Sequence, residues 1–94
     1  MNGVTQVTGT TTAFGGNVVV GATVTATAQC STGIMVSGGA NITGNSANSA
    51  ANAIAVVTSS YPTAANTWTV IATEVIHAAT GNPPSVTAYA LCAH

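Results

Sequence analysis

Over residues 18–30 the chain alternates without a break. Val18, Val20, Ala22, Val24, Ala26, Ala28 and Cys30 share one parity, and Val19, Gly21, Thr23, Thr25, Thr27 and Gln29 share the other. A period of two puts the parities on opposite faces only in a strand, and β-branched threonine suits the outer face of a pleated sheet. Gly21 marks a bend or bulge that splits the run. The pattern returns over residues 67–77, with Trp68, Val70, Ala72 and Ile76 against Thr67, Thr69, Thr73 and His77. It returns again after the turn signal Gly81-Asn82-Pro83-Pro84, where Val86, Ala88, Ala90 and Cys92 form a third inward face.

Between these runs the punctuation implies shorter strands. Gly33 precedes a strand through Ile34 and Val36, which Gly38-Gly39 ends before residues 41–43 resume it. Residues 44–53 carry no large apolar side chain and read as a loop. A strand over residues 54–58 is expected to end at Ser59-Ser60-Tyr61-Pro62, because proline removes a ladder donor. Several short strands with Gly, Asn and Pro between them predict an all-β fold, a small antiparallel β-sandwich or jelly-roll-like domain over residues 17–94. Residues 1–16, mostly polar with Val4, Val7 and Phe14, are expected to form an N-terminal arm or an edge strand.

Composition excludes most functions. The 94 residues include no Lys or Arg and one acid, Glu74. Nucleic-acid binding begins with cations that neutralise phosphates, so nucleic acid is excluded as a partner. Phosphoryl transfer and attraction to anionic lipid need the same missing charges. One Glu cannot supply a carboxylate pair or an all-oxygen calcium site. No stretch approaches the roughly 18 apolar residues of a membrane span, so no membrane partner is expected. The start, Met1-Asn-Gly-Val-Thr-Gln-Val-Thr, lacks the basic and apolar segments of a signal peptide. Met1 favours a route without export, as for a virion component released by lysis, over removal of a signal. The apolar fraction is 47%, but mostly Ala and Val, so the core must be thin. A crosslink or assembly is the expected help, and a net charge of −1 does nothing to keep copies apart.

Cys30 and Cys92 each end an inward alternation, so both point to one interior near strand ends. A disulfide is expected, with buried thiols as the alternative. Two Cys and two His with no Cys-x-x-Cys pair do not make a zinc site, and no cofactor is expected.

The set Cys30-Ser-Thr-Gly33, Gly38-Gly39, Ser60-Tyr61-Pro62, Trp68-Thr-Val70 and Thr87-Ala-Tyr-Ala-Leu-Cys92-Ala93 resembles a small domain. That domain recurs at the C-terminal ends of secreted, often collagen-like, proteins of actinobacteria and their phages. The resemblance covers roughly residues 24–93 and implies a β-rich surface module with cysteines near its two ends and no assigned catalysis. The chain departs from it at Ser31-Thr32, where the family usually has Pro-Ala. It departs again at Glu74-Val75-Ile76-His77, where the family has a polar turn.

Few residues are candidates for a site. Glu74 and His77 would face opposite sides of a continuous strand, and a bulge would bring them together as a pH-sensitive contact between subunits. The plainer expectation is a solvated acid and a surface histidine. No Gly-x-Ser-x-Gly elbow is present, and no enzyme activity is expected. Trp68, Tyr61 and Tyr89 could stack on a glycan. Trp68 is in phase with the core, which leaves Tyr61, beside Pro62, as the exposed candidate. Asn41-Ile42-Thr43 matches a glycosylation sequon but reads as ordinary strand. Outer faces of Thr and Val leave strand edges without the charges that usually protect them. The expected function is a non-enzymatic structural subunit on a virion surface or other extracellular assembly, either a capsid decoration or a fibre head. Its partner would be copies of itself or a particle or fibre protein. A secreted or cell-surface module for polysaccharide is the alternative.

Overall fold

Alternation becomes strand along most of the chain in the computed structural model, which describes residues 3–14, 20–45, 53–77 and 84–94. Six strands follow in order: β1 Val4–Ala13, β2 Thr23–Gln29, β3 Ile34–Thr43, β4 Ala53–Ala64, β5 Thr67–His77 and β6 Ser85–Ala93. They form two antiparallel three-stranded sheets with strand orders β1-β6-β3 and β2-β5-β4. The molecule is a small β-sandwich, and no described residue is helical.

Parity decides what each sheet buries. Ala26, Ala28 and Cys30 from β2 and its end, Val70 and Ala72 from β5, and Val86, Ala88, Ala90 and Cys92 from β6 make most of the core. These side chains are small, so the sheets lie close. At Gly9 of β1 an added Cβ would run into the backbone of Thr27 and Ala28. The result is long and narrow, 50 × 19 × 15 Å, with a radius of gyration of 14.8 Å, where a compact domain of this length has about 12 Å.

Cys30 and Cys92 are bonded, with Cα atoms 5.9 Å apart, and tie the two sheets at one end. Trp68 packs against the core at the same end, since Ala28 pairs with Trp68 across β2 and β5. Phe14 fills the other end, its backbone N–H donating to the Pro84 carbonyl at 3.0 Å. Gly21 takes φ +96° in the turn before β2, the bend expected there.

Four expectations need correction. Val20 is 61% exposed because that turn removes it from the inward row, which starts at Ala22. Ile76 is exposed because β5 bulges at Val75: Ala55 pairs with Glu74 and Ile54 with Ile76, so the phase slips by one. Gly38-Gly39 does not interrupt β3. Gly38 lies against the Trp68 indole, where a Cβ would overlap the ring, and the strand continues to Thr43. Ser59-Ser60-Tyr61-Pro62 does not end β4 either. This strand lies at a sheet edge, where proline is tolerated, and bulges at Thr58 and Thr63 absorb the irregularity. The expected turn at residues 81–83, most of the loop (residues 46–52) and Val18-Val19 lie outside the described residues.

Candidate functional site

The two seams where the sheets meet edge to edge are built differently. On the β1/β2 side, threonine hydroxyls replace a strand ladder. Thr10 Oγ1 accepts from the Thr27 backbone N–H at 2.9 Å and donates to the Thr27 carbonyl at 3.2 Å. Thr12 Oγ1 donates to the Thr25 carbonyl at 2.9 Å. This seam is closed. A β1 bulge, two residues of β1 against one of β6 between Thr8 and Thr11, brings the threonines to it.

Among the described residues the β3/β4 side is held at its ends. Just past β3, the Asn45 side-chain amide donates to the Ala55 carbonyl at 3.0 Å and accepts from the Ala55 N–H at 2.9 Å, imitating one step of a ladder. At the opposite end Asn66, in the β4–β5 turn, accepts from the Cys30 N–H through its carbonyl at 2.9 Å and from the Met35 N–H through Oδ1 at 3.2 Å. Between these staples β3 and β4 exchange no ladder bonds among the described residues.

Near Asn66 the seam opens into a groove of about 450 Å³ between Met35, Val36 and Ser37 on one side and Pro62, Thr63 and Ala64 on the other. Trp68 forms part of its wall, and the indole N–H donates to Ser60 Oγ at 2.8 Å. Ser60 and Pro62 pair with Val70 and Trp68, on the inward parity, yet both are exposed. Here β4 borders the groove rather than the packed core.

The candidate residues do not converge. Tyr61 lies on the outer face of β4 opposite Thr69 and is 46% exposed, as expected. Glu74 is on the inner face of β5, about five strand positions or ~16 Å further along, and is completely buried. The expectation of a solvated acid is therefore corrected, for the reason visible in its parity: it continues the row Trp68, Val70, Ala72. Its backbone joins the ladder to the turn before β2, accepting from Gly21 N–H at 2.8 Å and donating to Ala22 carbonyl at 2.9 Å. The Val75 bulge does stand between Glu74 and His77, whose backbone pairs with Ala53; its side chain lies outside the described residues.

Burial of Glu74 completes the electrostatic picture. It is the only Asp or Glu, and Lys and Arg are absent, so no side chain of these four types reaches the surface. That surface instead carries hydroxyl pairs such as Thr58–Thr73 at 2.9 Å, Thr63–Thr69 at 2.8 Å and Thr11–Thr87 at 2.8 Å. Among these stand exposed aliphatics, Ile34 at 70%, Val20 at 61% and Val36 at 58% foremost. No metal-binding cluster of His, Cys, Asp and Glu occurs among the described residues, and no described helix is long and apolar enough to cross a membrane.

Asn45, Asn66 and Thr10 were not singled out by sequence, and Ser60 only as part of the Ser60-Tyr61-Pro62 motif. Asn beside a strand end is a turn signal, but which backbone it reaches depends on the other sheet. Comparison with protein-family models, with curated proteins and with solved structures finds no match to this chain.

Proposed function

We propose that this protein is a non-enzymatic structural subunit of an extracellular assembly, on a phage virion surface as a capsid decoration or fibre head. The observation that carries the reading is the surface without ionised Asp, Glu, Lys or Arg, on which exposed aliphatics stand among hydroxyls. Such a surface has weak means of repelling copies and fits neutral partners by packing. The disulfide is compatible with an extracellular location, where such bonds persist. The resemblance to small domains of secreted and phage collagen-like proteins supports the same reading.

Negative-stain microscopy and co-sedimentation of native material test it. Particles or fibres that carry the chain support the reading, and a dispersed monomer recruited by no particle or fibre overturns it.

One observation favours a second reading, a module for neutral polysaccharide. The Trp68 groove combines an aromatic wall with the hydroxyls of Ser37 and Thr63 and no charge. Binding on a glycan array that is lost in Trp68→Ala supports it, and silence across all glycan classes rejects it.

A further inference from the structure

The sandwich has four edges, and three are protected by recognisable devices. The facing edges of β1 and β2 are tied together by the Thr10 and Thr12 hydroxyls. The β4 edge carries Pro62, its own bulges at Thr58 and Thr63, and the Asn45 amide seated on Ala55. Bulges, proline and covering groups are the means by which edge strands avoid unwanted pairing. The β3 edge has one bulge, at Val36, and Asn66 takes the Met35 N–H beside it. Beyond that point, over residues 37–43, β3 runs in unbroken register with β6 and has no strand on its other side among the described residues. Its sequence there, Ser-Gly-Gly-Ala-Asn-Ile-Thr, contains no proline and no charge.

We propose that the β3 edge over residues 37–43 pairs antiparallel with the same edge of a second copy, joining two β1-β6-β3 sheets into one six-stranded sheet. The proposal rests on the assembly reading above and names the partner and the surface. A two-fold axis through the edge makes the pairing isologous and antiparallel. Charge selects the occupant. A strand from an ordinary protein brings Lys or Glu, and this face has no exposed counter-charge for either. A second copy meets the edge with a strand equally free of charge. The neighbouring Ile34 and Val36, the first of them the most exposed large aliphatic of the described chain, gain cover from the joined copy. A single strand pair covers less than the roughly 1,200 Å² typical of stable interfaces. The dimer therefore dissociates on dilution and is reinforced in a larger assembly.

Sedimentation of the full-length chain across the micromolar range tests the pairing, with hydrogen exchange at low and high concentration as a second measurement. The expected result is a reversible dimer, with concentration-dependent amide protection confined to β3. Asn41 is exposed on this strand. Asn41→Lys, which sets like charges against each other, should weaken the dimer by more than about tenfold. Thr25→Lys, exposed on the outer face of β2, should leave it unchanged. A wild-type chain that stays monomeric with β3 amides equally exchangeable at all concentrations overturns the pairing. A dimer that protects other amides and tolerates Asn41→Lys does the same. If the monomer is still recruited to native particles or fibres, the pairing fails while the assembly reading stands. If it is not recruited, both fail. Loss of fold in a lysine variant, read by circular dichroism, leaves the wild-type exchange pattern as the deciding measurement.

Discussion

Two adjacent glycines separate what a residue type says from what its surroundings require. Gly38 has the Trp68 ring where its Cβ would be, whereas Gly39 has open space. Overpacking of this kind costs about 1–3 kcal/mol. Gly38→Ala should therefore lower the urea midpoint clearly, while Gly39→Ala should leave the unfolding free energy within about 0.5 kcal/mol of wild type. Asn45 is likewise defined by its surroundings, its amide making two bonds to one backbone residue. Asn45→Ala should cost about 1–2 kcal/mol and speed amide exchange at Ala55. Nothing in the local pattern distinguishes Asn45 from the other asparagines of its loop, because its partner lies ten residues away on another sheet.

At the scale of elements, the inward rows of β2, β5 and β6 were readable from parity, and Ala26, Val70, Ala88 and Cys92 occupy the expected face. The boundaries of β3 and β4 were not. Gly-Gly and Tyr-Pro interrupt a strand by propensity, but Trp68 packing on Gly38 and an edge position for Pro62 remove the penalty that the rule assumes. Phase beyond a bulge was equally hidden, as Ile76 shows, since a bulge is a relation between two strands. The β1/β2 seam makes a prediction at this scale. Thr10→Val removes both hydroxyl bonds to Thr27 at a site that water reaches, so stability should fall by only about 1 kcal/mol. Hydrogen exchange at the Thr27 amide should rise even where the global midpoint barely moves.

For the whole molecule the thin core makes the crosslink disproportionately important. Cys30 and Cys92 are 62 residues apart in sequence, and closing a loop of that length is worth about 4 kcal/mol, against the roughly 5–15 kcal/mol that holds a domain together. Replacing both cysteines by serine should remove a large share of the margin, seen as a large drop in the thermal midpoint. The neutral surface has an opposite signature. Salt screens charges, and this surface has almost none to screen, so dissociation of any assembly should be nearly flat between low and high ionic strength. A steep salt dependence in sedimentation would contradict the picture of neutral faces in contact.

The sequence by itself determined the class of fold, the strands that supply the core and the absence of charge chemistry, because each depends on local parity or on composition. It also placed the two cysteines on inward rows at strand ends. Only the tertiary structure decided that one seam is closed by threonines and that the other is held at its ends by asparagines. It alone decided that β3 lies at the edge of its sheet. These are properties of one sheet meeting another. The same Thr, Asn or Gly is a solvated residue or a structural contact according to what the opposite sheet places beside it.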